Sequence, residues 1–218
     1  MGEAARNFDA MDERALAREA RQGARGAFRA IMQRYNQRLF RVARAVVGDD
    51  AEAEDVLQEA YLRAFAGMAA FRGEAGLLTW LTAIALNEAR GRLRKRRPLT
   101  DFEAAAAANV VPFAAQPASP ESETARAETR RLLETSIDGL PRDFRIVFVL
   151  REIEGLSVEE TAAQLGLNPA TVKTRHFRAR RMLRAGLEKT LLAGLDDVFP
   201  FLGARCSNVT ERVLERLG

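Results

Sequence analysis

Apolar residues recur at steps of three or four through most of this chain, and the interruptions mark its joints. Residues 9 to 47 carry one such stripe, with Phe28, Ile31, Tyr35, Leu39, Val42 and Val46 on a common side. Gly48-Asp49-Asp50 breaks it, and the spacing then predicts a second helix over Ala51–Met68 with Val56, Leu57, Ala60, Tyr61, Ala64 and Met68 inward. Two glycines within Phe71–Gly76 predict a loop. A long helix follows from about Leu78 to Arg97, its inward side made of Leu78, Leu81, Thr82, Ala85, Leu86, Ala89 and Leu93. The pattern then stops. Residues 98–125 hold five consecutive alanines, Pro112, Pro117 and Pro120, and no lasting amphipathic period. A helical pattern resumes over 126–155, with Leu132, Leu133, Ile137 and Leu140 before Pro141 and Val147, Phe148, Leu150 and Ile153 after it.

Ser157 to Arg184 is the most explicit stretch. Ser157 followed by Glu160 is a capping box, in which each side chain satisfies a free backbone N–H at a helix start. Val158, Ala162 and Leu165 give that helix an apolar face, and Gly166 supplies the left-handed residue that ends it. Asn168-Pro169 starts another helix, with Asn as N-cap and Pro at the first helical position. So short a break between two amphipathic helices is a helix-turn-helix, whose second helix can enter a major groove. At about 100° per residue, Val172, His176, Ala179 and Leu183 form the inward stripe of that second helix. Lys173, Thr174, Phe177, Arg178, Arg181 and Arg184 fall opposite. Between Pro169 and Lys189 stand seven Lys or Arg and one Glu. That density of one sign suits phosphate neutralisation, and the bulky Phe177 in its midst argues against a merely solvated face.

Two further faces carry candidate chemistry. On the 51–68 helix, Asp55, Gln58, Glu59 and Leu62 share the side opposite the apolar stripe, an acidic patch around a leucine. Acids near a helix start are also explained by the helix dipole; Leu62 inclines the reading toward a protein-binding face. On the long helix, Trp80, Asn87 and Arg94 lie within about 40° of one another, flanked by Arg90 and Lys95. From Glu88 to Arg97 there are six basic residues and one acid. An aromatic, an amide and several arginines on one face suit bases and phosphates. The alternatives are a partly buried core Trp80 and a basic patch with no sequence preference.

Composition narrows the classes. The chain has 218 residues, few Pro and Gly within its periodic segments, and abundant Ala, Leu, Arg and Glu, which favours an all-α protein. The net charge of +4 is unevenly distributed. No stretch approaches the roughly 18 apolar residues of a membrane span, and the N-terminus has no signal-peptide core. The lone Cys206 forms no internal disulfide and no metal site by itself. These features predict a reduced, cytoplasmic setting without membrane insertion. They give no support to an enzyme: the one His and one Cys lie in different segments, and there is no Gly-rich phosphate loop or metal-ligand spacing. No cofactor or metal is expected.

In DVLQEAYLRAF, FRGEAGLLTWLTAIALNEARGRLRKRR, LPRDFRIVFVLREIEGLSVEETAAQLGL and TVKTRHFRARRML, in that order, the chain resembles the bacterial alternative sigma factors of the extracytoplasmic-function type, in the sigma-70 superfamily. The resemblance covers roughly Phe28 to Leu187 apart from the linker. It implies two small helical domains: a sigma region 2-like bundle over 9–97 and a region 4-like helix-turn-helix domain over 126–192. A flexible linker over 98–125 would join them, and 193–218 would be a C-terminal extension of unknown role. The implied partners are core RNA polymerase, promoter DNA and an anti-sigma protein, which no residue here identifies. By the same resemblance, Asp55, Gln58, Glu59 and Leu62 would bind the polymerase clamp. Phe71, Arg72, Trp80, Asn87, Arg90 and Arg94 would meet the start-proximal promoter element, with Asn87 and the 71–77 loop holding a flipped base and Arg92 helping to hold the backbone. Lys173, Thr174, Arg175, Phe177, Arg178 and Arg181 would read the upstream element. The linker's roughly 27 residues span at most about 90 Å, some 26 base pairs at about 3.4 Å each.

His176 stands where the family usually has an aliphatic residue, and its place on the inward stripe predicts a neutral core histidine. The tail exceeds the family's minimal two domains. Its Val209, Val213 and Leu217 share one face of a short helix that Asn208 and Glu211 would cap, and Cys206 reads as an ordinary partly buried thiol. The competing function is a free-standing helix-turn-helix regulator, which would need neither the acidic patch nor the basic Trp80–Asn87 helix.

Overall fold

The computed structural model describes residues 7–96, 122–186 and 198–217. Most of the linker and the stretch 187–197 lie outside them. All regular elements among the described residues are helical, so the protein is all-α. The chain divides into two compact units, one of residues 1–96 with 201–218 and one of 97–200.

The first unit begins with α1 (Glu13–Arg21), capped by the Asp12 carboxylate, which accepts from the Ala15 N–H at 2.7 Å. Gly23 turns the chain at φ 82°, a conformation that costs glycine nothing. The helix expected over residues 9–47 is therefore two helices, α1 and α2 (Arg25–Val47). Gly48 ends α2 in the left-handed region, and the Asp49 carboxylate caps α3 (Asp50–Ala66) by accepting from Glu52 N–H at 2.9 Å. After a short loop, α4 runs from Leu77 to Arg96. Helices α2, α3 and α4 pack on one another around Ile31, Leu39, Leu57, Leu81 and Leu86, all almost inaccessible. Phe28 stacks on Phe65 at 4.2 Å between ring centroids. Glu13 ties α1 into this bundle: one carboxylate oxygen accepts from the Leu77 N–H at the start of α4, the other from the Tyr35 hydroxyl at 2.8 Å. A carboxylate there also complements the positive end of the α4 dipole. Burial, then the Glu13 carboxylate, pushes the Tyr35 phenol up to about 12.

The second unit comprises α5 (Ser122–Asp138), α6 (Arg142–Phe148) with a π-turn over Val149–Ile153, α7 (Val158–Leu165) and α8 (Pro169–Gly186). Its core gathers Leu133, Ile137, Leu140, Val147, Phe148 and Leu150 from the segments before the helix-turn-helix, as the apolar spacing predicts.

The last helix, α9 (Ala204–Arg216), belongs to the first unit and packs on α2 and α3. It starts at Gly203, with no side-chain cap. The expected Asn208–Glu211 cap is therefore wrong: both residues lie inside the helix. Phe201, fully buried, stacks on Phe40 with centroids 4.3 Å apart and donates its N–H to Gln37 Oε1. Val209, Val213 and Leu214 are buried. The contacts fix the direction of α9. Cys206 and Thr210 meet Asn36, Glu211 meets Arg29, and the Leu214 carbonyl meets Arg25, so α9 runs antiparallel to α2. Arg205 meets Asp50 and Glu54 while Arg216 meets Glu59, so it runs in the same sense as α3.

Candidate nucleic-acid and polymerase interfaces

The helix-turn-helix is built as its sequence dictates. Ser157 Oγ accepts from Glu160 N–H at 3.0 Å and Glu160 Oε2 accepts from Ser157 N–H at 2.7 Å. Those bonds hold the Glu160 carboxyl below the usual range. Gly166 closes α7 at φ 64°, and Leu167 N–H reaches back to the Ala162 carbonyl at 2.9 Å. Asn168 Oδ1 then caps α8 by accepting from Ala170 N–H at 2.8 Å. Between the two helices Val147, Ala162 and Val172 form the core, with Val158, Leu165 and Leu167 against it. This fixes the rotation of α8. With Val172, Ala179 and Leu183 inward, Lys173, Thr174, Phe177, Arg178, Arg181 and Arg184 face solvent. Phe177 is 66% exposed, so the aromatic in the cationic face contributes nothing to the core.

Two residues of α8 meet carboxylates of their own domain. Arg175 is half-buried and pairs with Asp143 of α6 at 2.8 Å, so its charge is partly committed within the domain. His176 sits half-buried on the inward stripe, where its ring meets a carboxylate. Its Nε2 lies 2.6 Å from Glu152 Oε1, and Arg180 approaches the same oxygen at 3.6 Å. The apolar period located the ring; the carboxylate from the π-turn is what it meets there.

In the first unit the acidic ridge of α3 is present but unequal. Asp55 is exposed and pairs with Arg92 of α4 at 2.6 Å. Leu62 is half-exposed. Glu59 is half-exposed and holds Arg216 of α9 at 2.7 Å. Gln58 is 9% exposed, so it lies at the edge of the ridge rather than on it. It is one turn beyond Glu54, on the side of α3 that faces α9 through Arg205.

Along α4, Asn87 is exposed and lines a cleft of about 350 Å³ with Arg63, Glu88, Gly91, Arg94 and Lys95. Arg63 reaches across from α3 to pair with Glu88 at 2.7 Å; sequence reasoning did not single it out, and only the packing of α3 on α4 brings it there. Arg94 is exposed and Arg90 half-buried. Trp80 is half-buried with its ring 5.1 Å from that of Phe71. Phe71 is itself buried, its carbonyl accepting from Arg21. The loop therefore turns its aromatic inward, while Arg72 faces solvent.

A second unit whose helix-turn-helix has an outward cationic face, and a first unit joining an acidic ridge to a basic helix with an amide-lined cleft, define a two-part DNA-binding protein of transcription. Two family models match the chain: Sigma-70 region 2 over residues 31–98 and Sigma-70, region 4 over residues 130–183. It is 32% identical over 178 residues to the ECF RNA polymerase sigma-E factor of Escherichia coli K12, covering 79% of this chain and 93% of the relative. The sigma-E factor of Haemophilus influenzae is 33% identical, covering 79% and 94%. Among solved structures, CnrH in complex with the cytosolic domain of CnrY aligns with TM-score 0.55 and 29% identity over 79% of this chain and 95% of that one. The sigma factor RpoE of Bartonella quintana, in complex with the anti-sigma factor NepR, aligns with TM-score 0.50 and 27% identity over 67% and 88%. The chain belongs to the extracytoplasmic-function RNA polymerase sigma factors. Its function is to direct core polymerase to promoters for initiation, and the free-standing regulator is not favoured.

Proposed function

We propose a division of labour among particular residues of this sigma factor. The ridge of Asp55, Glu59 and Leu62, with Gln58 at its margin, docks the first unit on core polymerase. Asn87 receives a base flipped from the start-proximal element into the cleft beside Arg63 and Arg94, and Arg72 and Arg90 hold the neighbouring backbone. Trp80 supplies an apolar wall supported from beneath by Phe71. Extruding a base costs a few kcal/mol, and stacking with hydrogen bonds in a shaped cleft offsets that. On α8, Lys173, Thr174, Phe177, Arg178 and Arg181 read the upstream element, and Arg175, braced by Asp143, adds charge at the edge. The protein acts by binding and is not itself an enzyme, and it works in the cytoplasm. By analogy with the complexes of CnrH and RpoE, an anti-sigma protein is a further partner.

The observation that carries this reading is the adjacency of the acidic ridge on α3 and the basic cleft-bearing helix α4, two packed helices with opposite surfaces. A DNA-binding regulator alone has no use for the first. The test is binding of Asp55→Ala and Glu59→Ala variants to purified core polymerase, with thermal unfolding as a control. Both side chains are partly exposed, so the fold is expected to persist. Polymerase affinity should fall for Asp55→Ala; unchanged affinity in both variants would remove the ridge from the interface.

A further inference from the structure

The helix that follows the matched domains points to a device within the ridge itself. The region 4 family model ends at residue 183, before α9 begins. The sigma-E relatives are covered almost end to end by 79% of this chain, which leaves about a fifth of it without a counterpart there. The structure places α9 against α2 and α3, and its last turn brings Arg216 to Glu59 at 2.7 Å.

We propose that α9 is a built-in competitor of core polymerase for the ridge of α3. It rests on the reading of Asp55 and Glu59 as polymerase contacts. Arg216 occupies with a guanidinium a carboxylate on the ridge that an incoming cationic surface would need, and the end of α9 gives way when polymerase binds. The two ends of the helix suit that role. The N-terminal end is anchored by buried Phe201, by the Asn36 bonds to Cys206 and Thr210, and by Arg205 between Asp50 and Glu54. Val213 and Leu214 are buried and Glu211 pairs with Arg29, and Arg25 donates to the Leu214 carbonyl at 3.0 Å; beyond Leu214 the last turn meets α3 through one ion pair whose side chains are 53% and 38% exposed. Exposed pairs contribute little to stability and break readily, and helix ends fray first.

The experiment uses the full chain and core polymerase. Affinity is measured by anisotropy for wild type, Arg216→Ala, Arg216→Lys and Asp55→Ala. Asp55 pairs with Arg92 and not with α9, so Asp55→Ala reports on the ridge alone. Arg216→Ala is expected to bind polymerase about two- to fivefold more tightly, in keeping with the release of one exposed ion pair, while Arg216→Lys stays near wild type. Hydrogen exchange supplies the structural readout: amides of Glu215 to Leu217 should exchange faster in the complex than in the free protein. Unchanged or weaker binding by Arg216→Ala, or slower exchange of that turn in the complex, overturns the proposal while leaving the ridge assignment standing if Asp55→Ala binds weakly. Normal binding by Asp55→Ala and Glu59→Ala overturns the ridge assignment and this inference with it.

Discussion

Replacing Arg178 with alanine separates two ways in which α8 can hold DNA. Arg178 is exposed, and no carboxylate among the described residues pairs with it, so truncation leaves no buried charge behind and the fold is expected to be unaffected. The loss is then a loss of binding alone. If the guanidinium reads a base edge, about 1–3 kcal/mol disappears, a fall of roughly five- to 150-fold at about 1.4 kcal/mol per decade. That loss is concentrated on the preferred upstream element. If it meets a phosphate, binding weakens on all sequences alike and the slope of log affinity against log salt falls by about one. The assay is binding of holoenzyme to upstream-element and scrambled duplexes over a salt series. Arg175 is the internal comparison. It is tied to Asp143 at 2.8 Å, so Arg175→Ala removes one cation and frees one anion near the DNA, and its effect should be less sequence-dependent. An Arg178→Ala variant with wild-type affinity and wild-type salt slope would refute the orientation of α8 assigned here.

Three other predictions rest on particular contacts. Asn87→Ala should impair promoter opening, followed by permanganate reactivity, more than initial duplex binding; equal losses in both would argue against a flipped base beside Arg94. For Tyr35 the sign follows from a phenol pushed up to about 12 from 10.0: its contribution is fully present below pH 10, where folded and unfolded chains are both protonated, and is lost as the unfolded chain ionises between pH 10 and about 12. That gap corresponds to about 3 kcal/mol, so the stability deficit of Tyr35→Phe in denaturant titrations should shrink across that window, and a deficit independent of pH would count against it. Phe201→Ala removes a fully buried ring stacked on Phe40 and should cost the first unit about 3–5 kcal/mol by denaturant unfolding; a loss under 1 kcal/mol would mean that the C-terminal segment is an appendage rather than part of that core.

What the sequence discloses depends on the range of the interaction. The turn between α7 and α8 was legible because every signal in it is local: Ser157 to Glu160, Gly166, and Asn168 before Pro169 lie within a few residues of their partners. The rotation of α8 followed from Val172, Ala179 and Leu183, so its outward cations could be named. The period placed His176 on the inward stripe but could not tell what stands opposite it, which is Glu152. Gln58 fell with Asp55, Glu59 and Leu62 on a helical wheel, but the wheel omits a neighbour donated from far along the chain, and that side of α3 faces α9. Phe71 reads as a loop residue from its flanking glycines, yet Trp80 gives its ring a partner and draws it inside. The partner of α9 was least legible of all. Its stripe announced a buried face, while its contacts with Arg25, Arg29, Glu54 and Glu59 span 151 to 189 positions, a range at which spacing carries no information.

The C-terminal helix also changes how the acidic ridge should be understood. A row of acids on one helix repels itself, and four carboxylates of α3 are met by cations from other elements: Asp50 and Glu54 by Arg205, Asp55 by Arg92, Glu59 by Arg216. The free protein thus neutralises internally much of the charge its resemblance assigns to polymerase. Exposed pairs of this kind are worth little each, so they scarcely stabilise the fold, but each must be exchanged for an intermolecular pair when a cationic partner arrives. On the docking role proposed for the ridge, the internal pairs offset only part of what each acid gains at the interface, so each acid adds modestly to the affinity supplied by the apolar contact at Leu62 and by shape. On the same proposal the ridge also steers and selects its partner, and a helix able to supply or withdraw one of those internal cations is well placed to set how readily the exchange occurs.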